Sequence, residues 1–159
     1  MGKVGNQLIV EISAADVAEE LDRLYCYHLA TFCWASGMGV RLEGPALFLL
    51  GDELAGVAEE NLAAARQLTA RVGELGGEVT IDPSAFVPRS PGGTLVVPDE
   101  AREVAPILRC ALEQVRTALG AYGKLLDRTR GRDELTHRLL VKLARQLAAR
   151  ETDLEGALA

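Results

Sequence analysis

The chain has 159 residues, of which 48% are hydrophobic, and its formal net charge is −6. This length suits one domain with a substantial core, which we place at residues 1–159. The acidic balance makes a nucleic-acid partner a poor candidate, because no basic stripe could meet phosphates. No apolar run reaches the roughly 20 residues of a membrane helix, and the start of the chain lacks a signal-peptide core. We therefore expect a cytoplasmic protein with no membrane partner, and three cysteines without a Cys-x-x-Cys pair fit a reducing compartment.

Apolar residues recur at helical spacing in four stretches, and local signals mark the ends of each stretch. Ser13 has the form of an N-cap for the first helix, and Gly37 and Gly39 are expected to end it. Pro45 suits the first turn of the second helix, and Gly76 is placed to close it. The predicted helices span about residues 13–36, 45–75, 99–126 and 133–157.

The segment 76–98, between the second and third helices, has a different composition. It contains four prolines and two Gly-Gly pairs, with short β-prone pieces at 79–81 and 94–97. We interpret it as a long crossover connection, and we favour a plain spacer over a functional loop. Two helical hairpins joined by one long crossover form a four-helix bundle, so the predicted fold class is all-α.

Several polar residues interrupt the apolar faces of the predicted helices. Asn61 lies on the apolar stripe of the second helix and Arg150 on that of the fourth, while His28 continues the stripe of the first helix. A buried arginine needs an acidic partner, and we expect Glu20 first and Glu60 second. Three interpretations are open. The polar groups pair only with one another, Arg150 lines a pocket for a small molecule or anion, or the cluster binds a metal.

Three segments carry a family resemblance. Residues 66–77 resemble the end of the second helix of ferritin-like proteins, residues 107–116 the start of the third, and residues 129–133 the turn before the fourth. In order and spacing the chain resembles the Dps-like branch of the ferritin-like superfamily from Ser13 onward. The resemblance implies a ferritin-like four-helix bundle and a protein that oxidises ferrous iron and stores ferric mineral in a cage, often of twelve subunits.

The resemblance also implies six metal ligands, a Glu from each of two helices and a Glu-x-x-His from each of the other two. Of these, the first-helix carboxylate falls on Glu20 and is kept. The other five positions hold residues of another type, so that the ferroxidase centre is degenerate and enzymatic activity is uncertain. These five positions are Asn61, Ala64, Val115, Leu147 and Arg150.

We therefore hypothesise a pseudo-ferritin, in which apolar packing and a Glu20–Arg150 pair replace the di-iron centre. This protein would be a non-catalytic, cage-forming or partner subunit, and it is expected to hold no metal or cofactor. It would form a homo-oligomer, with a dodecameric cage as the form that the resemblance implies, or join a ferritin-like paralogue. One alternative is an iron-storage protein whose metal site has moved to Glu20, Glu60 and His28. The other is a bundle that binds a small ligand through Arg150.

Two further patterns have simpler interpretations. Glu134 and His137 form a literal Glu-x-x-His, but it lies 13 residues before Arg150, or roughly 20 Å along a helix. A first-turn acid followed by a surface histidine explains this pair better than a metal site. Cys26, Cys33 and Cys110 could hold a soft metal or form a redox pair, but small buried apolar side chains are the commoner role.

Overall fold

A computed structural model describes residue 5 and residues 8–159 of the chain. The helices are α1 (Ala14–Arg41), α2 (Gly44–Glu74), α3 (Phe86–Arg89), α4 (Val104–Thr129) and α5 (Glu134–Leu158), with a 3₁₀ turn at Pro83–Ala85. Within these described ranges there is no strand, only an isolated antiparallel bridge between Ile9 and Asp133. The all-α fold class predicted from sequence is confirmed.

Helix α1 begins where the sequence predicts and ends later. The Ser13 side chain accepts a hydrogen bond from the backbone N–H of Asp16 at 3.3 Å, as an N-cap does. The prediction that Gly37 and Gly39 end the helix is wrong, because α1 continues to Arg41. Each glycine costs a helix only about 1 kcal/mol relative to alanine. The side chain of Met38, between the two glycines, is fully packed in the core, and this packing outweighs that cost.

Helix α2 closes on glycines, as predicted. Gly76 adopts a φ of +78°, a conformation that side chains other than glycine rarely tolerate. The backbone N–H of Gly77 donates to the carbonyl of Val72 at 3.0 Å and so satisfies one of the last free carbonyls of the helix. A Cβ atom on Gly77 would lie 2.8 Å from the Cβ atom of Ala18, so this glycine lets α1 approach the end of α2.

The third long helix starts later than expected. The prediction placed its start near residue 99, but α4 begins at Val104 and ends at Thr129. In the observed helix Pro106 lies in the first turn, where its missing N–H has no partner to lose. A start at residue 99 would place Pro106 in the helix interior, which disrupts the backbone hydrogen bonds. The β-prone pieces at 79–81 and 94–97 form no strand, and the connection 75–103 runs along the bundle instead.

The four long helices pack as two hairpins. Helix α1 packs along α2, and α4 packs along α5, with the connection 75–103 leading from one hairpin to the other. Asp133 caps α5 by accepting the backbone N–H of Thr136 at 3.1 Å. Large side chains from all four helices, Leu21, Leu68, Tyr122 and Leu140 among them, are fully buried between the hairpins. None of the helices in residues 8–159 has the length and apolar character that a membrane span requires.

Candidate functional site

The centre of the bundle contains a chain of hydrogen bonds between buried neutral groups. The amide nitrogen of Asn61 donates to the carbonyl of Val57 at 2.8 Å, which leaves its Oδ1 facing His28. Nδ1 of His28 therefore carries the proton and donates to this oxygen at 2.7 Å. The hydroxyl of Tyr122 then donates to Nε2 of His28, also at 2.7 Å. Both ring nitrogens of His28 are satisfied by groups of α2 and α4.

Burial decides the protonation state of this histidine. Desolvation lowers the pKa of His28 from 6.5 to about 4, and the hydrogen bond to Asn61 opposes this only in part. Burial also raises the pKa of Tyr27, whose ring meets the imidazole edge-on, to about 12. His28 and the side chains that contact it, Asn61, Tyr27 and Tyr122, are therefore uncharged at neutral pH.

Apolar side chains occupy the rest of the centre. Ala64, Val115, Leu143 and Leu147 are buried, and together with His28 they line a narrow cavity of about 50 Å³. Aliphatic side chains offer no lone pair to a metal, and iron in such sites is bound by carboxylates and imidazoles. This set of side chains does not fit a di-iron centre.

The nearest carboxylates along this cavity are paired with Arg150. Its guanidinium donates to Glu53 through Nη1 and to Glu60 through Nη2, the latter at 2.8 Å. The Arg150 side chain is 15% exposed, whereas both glutamates are about half exposed. Burial raises the pKa of Glu60, and the negative charge of the nearby Asp153 raises it further. The positive charge of Arg150 therefore lies where it offsets the repulsion between these carboxylates.

The predicted Glu20–Arg150 pair is wrong, and Glu60, the second candidate, is one of the two partners found. Glu20 is on the surface of α1, with its carboxylate 3.9 Å from the guanidinium of Arg128. The residue of α1 that faces Asn61 is His28, two helical turns after Glu20. Glu20 was assigned to the site because it borders the apolar face of the first helix and because the resemblance places a carboxylate there. Eight residues along an α-helix rotate a side chain by about 80°, so Glu20 does not share the direction of His28.

The three residues of the relocated metal site are not brought together. Glu20 faces Arg128, Glu60 faces Arg150, and His28 is enclosed by Asn61 and Tyr122. Among the described residues, no group of three or more His, Cys, Asp or Glu side chains could hold a metal ion.

The Glu-x-x-His at the start of α5 stabilises a turn. Glu134 accepts the backbone N–H of Gly131 at 3.0 Å. Nδ1 of His137 lies 3.2 Å from the carbonyl of Leu126 and 3.3 Å from the hydroxyl of Thr129. Both side chains thus close the connection between α4 and α5.

The three cysteines are free and lie in different surroundings. Cys26 is buried, Cys110 is partly buried and Cys33 is exposed. Burial raises the pKa of the Cys26 and Cys110 thiols, which makes them poor nucleophiles at neutral pH.

Two buried ionic clusters were missed from sequence. Arg71 donates to Asp133 at 2.9 Å and to the hydroxyl of Thr136 at 2.8 Å, which ties the end of α2 to the start of α5. Arg71 lies three residues after Leu68 and four before Leu75, which is the spacing of one helix face. The pattern that identified Arg150, a polar residue on an apolar helix face, could therefore have identified Arg71 as well. No sequence pattern marks Asp22 in this way, because its partners, Thr80 and Arg89, lie on the crossover.

Asp22 fixes the crossover to α1. Its carboxylate accepts both the backbone N–H and the hydroxyl of Thr80 at 2.7 Å. It also accepts two bonds from the guanidinium of Arg89, at 2.8 and 3.1 Å. Further along the crossover, the indole N–H of Trp34 donates to the carbonyl of Val96 at 2.9 Å. The crossover is thus attached to the bundle at several points.

Comparisons with known proteins agree with this fold. The ferritin-like domain profile matches residues 18–159, which is most of the chain. The chain belongs to the ferritin-like domain family. No curated protein sequence matches it.

Solved structures of this family share its fold. A dodecameric thioferritin, the bacterioferritin-related protein of Bacteroides fragilis, superposes with a TM-score of 0.86 at 18% identity, covering 98% of this chain and 90% of that one. A Dps protein from Vibrio cholerae O1 gives a TM-score of 0.84 at 14% identity, covering 92% and 91%. A point mutant of Mycobacterium smegmatis Dps1 gives 0.81 at 16% identity, covering 95% and 100%. The resemblance to ferritin-like and Dps proteins predicted from sequence is confirmed in fold.

Proposed function

We propose that this chain is a ferritin-like subunit without a di-iron oxidase centre, which serves as a structural, self-assembling protein. The carrying observation is the closed hydrogen-bond chain of Tyr122, His28 and Asn61 at the bundle centre. Nε2 of His28 and Oδ1 of Asn61, the two acceptors of this chain, are each already engaged by a protein donor. Metal binding at His28 would require breaking these bonds, and the carboxylates that line the same cavity, Glu53 and Glu60, are paired with Arg150.

The Arg150 cluster supports the same proposal. A guanidinium between Glu53 and Glu60 supplies the positive charge that a metal ion would otherwise bring to these carboxylates. A cation in the same place would meet like-charge repulsion from Arg150. We therefore propose that the protein has no resident metal or cofactor.

Ferrous oxidation kinetics test the loss of the centre. Anaerobic protein receives Fe(II) in small excess, oxygen or peroxide is admitted, and formation of Fe(III) is followed by absorbance. The expected rate equals that of a protein-free blank at every protein concentration. A rapid phase that saturates at a fixed ratio of iron to subunit would contradict the proposal. The Arg150→Met variant releases Glu53 and Glu60 and should still remain at the blank rate, because two carboxylates without the other ligands do not make a di-iron centre.

An exposed apolar face supports self-assembly. Val40 at the end of α1 and Phe48 near the start of α2 are each 89% exposed, and Leu47 and Leu49 are about half exposed. All four lie within ten residues around the turn between α1 and α2, and clusters of exposed apolar side chains often mark an interface. The dodecameric thioferritin shares this fold, so we propose homo-oligomers, with a twelve-subunit cage as the leading form and a ferritin-like paralogue as the other partner.

A charge on this face tests the assembly. Phe48→Glu is expected to shift the protein to smaller species in size-exclusion chromatography with light scattering, because a carboxylate would be buried without a partner at the interface. Ile81→Glu is the matched control, since Ile81 is 86% exposed but lies on the crossover, and it should keep the native size. Equal sizes for native protein and Phe48→Glu would remove this face from the assembly.

A further inference from the structure

A second and larger cavity lies beneath the crossover. It has a volume of about 470 Å³, within the range of small-molecule sites, and it is bounded by α1, α4 and residues 90–98. Much of its wall is formed by small and branched apolar side chains. These wall residues are Ala30, Leu95, Val96, Pro98 and Pro106. This part of the cavity therefore fits an apolar group.

The crossover is held over this cavity at two places. The carbonyl of Val96 accepts the indole N–H of Trp34 at 2.9 Å and the thiol of Cys110 at 2.9 Å. Nearer the start of residues 90–98, a Cβ atom on Gly92 would lie 2.9 Å from Cγ2 of Thr117, so the backbone there lies directly against α4. Because the cavity is formed in advance, a ligand spends little of its binding free energy on ordering the chain.

Two opposite charges on α4 lie at the rim of the cavity. Arg109 and Glu113 both line it and both are exposed, so an occupant can reach them. Side chains four residues apart on a helix have Cβ atoms about 5–6 Å apart, but an arginine before a glutamate is the less favourable order for an ion pair. Glu113 instead contacts Arg116 at 3.4 Å. Within the part of the chain that the structure describes, Arg109 has no ionic partner.

We propose that this cavity binds an α-amino acid with a large apolar side chain. The side chain would lie among the apolar walls, while the carboxylate would contact the guanidinium of Arg109 and the ammonium would contact the carboxylate of Glu113. A ligand with a single charge gains one ion pair and is repelled by the like charge one helical turn away. The zwitterion gains both pairs, which selects it over apolar acids and apolar amines. The proposal uses neither the Arg150 cluster nor His28, so its outcome is independent of the iron experiment.

Four ligands of related structure test the proposal by calorimetry and saturation-transfer NMR. L-phenylalanine carries both charges, phenylpropionate lacks the ammonium, phenethylamine lacks the carboxylate, and glycine lacks the side chain. We expect L-phenylalanine to bind with a dissociation constant on the order of 1 mM, because both charges of the rim remain partly hydrated. It should bind about fivefold more tightly than either singly charged ligand, the ratio that one exposed ion pair supplies. Glycine should bind about tenfold more weakly than L-phenylalanine, because it buries no apolar surface.

Two variants separate the two charges. Arg109→Gln should equalise the affinities of L-phenylalanine and phenethylamine, because the carboxylate then has no cation to contact. It should retain the preference over phenylpropionate, which depends on Glu113. Glu113→Gln should give the reverse pattern. Both residues are exposed and lie outside the core, so both variants should fold, and thermal unfolding verifies this.

Arg145→Gln and Glu59→Gln are the matched controls. Both residues are exposed on other helices and neither lines the cavity, so both variants should keep the native affinity ratios. Equal binding of L-phenylalanine and glycine would overturn the proposal, because the cavity would then not hold the side chain. Equal binding of L-phenylalanine and the singly charged ligands would also overturn it, as would ratios that survive Arg109→Gln and Glu113→Gln. Absence of binding by all four ligands would overturn it as well.

Discussion

Acidification should destabilise the protein through His28. Its pKa is about 4 in the folded protein and 6.5 when exposed, so between these values the unfolded chain binds one more proton than the folded chain. The contribution of uncharged, buried His28 to the free energy of unfolding is complete above pH 6.5 and is lost as the pH falls toward 4. At about 1.4 kcal/mol for each pKa unit, the loss between neutral pH and about pH 5 is about 2 kcal/mol. The neighbouring Asn61, Tyr27 and Tyr122 are neutral throughout this range.

Urea unfolding at neutral pH and at about pH 5 measures the free energy of unfolding under each condition. The native protein should lose about 2 kcal/mol more than a His28→Gln variant, in which this ionisation is absent. His137→Gln is the matched control and should lose as much as the native protein, because His28 is retained. A His28→Gln variant that keeps the full pH dependence would refute the assignment of this titration to the bundle centre.

Two substitutions test the ionic clusters. Arg150→Met should lower the free energy of unfolding by only about 1 kcal/mol, because its glutamate partners are half exposed and regain water. Arg145→Met, on the exposed face of the same helix, should have almost no effect, and equal losses would contradict the pairing. Asp22→Asn should cost about 2 kcal/mol and speed proteolysis of the crossover, since a buried carboxylate that accepts four bonds is lost. Asp127→Asn is its exposed control, and cleavage of both variants at the native rate would show that Asp22 does not hold the crossover.

The helix starts with side-chain caps were predictable because their signals are local. Ser13 and Asp133 each accept a backbone N–H three residues ahead, and this pattern is visible in a short window of sequence. The end of α1 was not predictable in this way. Whether Gly37 and Gly39 interrupt a helix depends on the burial of Met38, which is a property of the packed bundle. The crossover likewise gives no local sign that Asp22 fixes it.

The candidate site was predictable in part. Asn61 and Arg150 stood out because they are polar residues on apolar stripes, and both are central to the observed arrangement. Tyr122 looked like an ordinary core residue, since its hydroxyl matters only beside His28. The partners of Arg150 depend on how α5 lies against α2, whereas the helix pattern and the family resemblance had placed Glu20 there.

The most direct test of the proposed loss of the iron centre is a crystal structure of the protein soaked anaerobically with Fe(II), with anomalous data collected at the iron edge. The account predicts no anomalous peak among His28, Asn61, Val115 and Leu147, with Nδ1 of His28 still bonded to Asn61. A pair of anomalous peaks at this position, with the imidazole or nearby glutamates turned toward them, would contradict it.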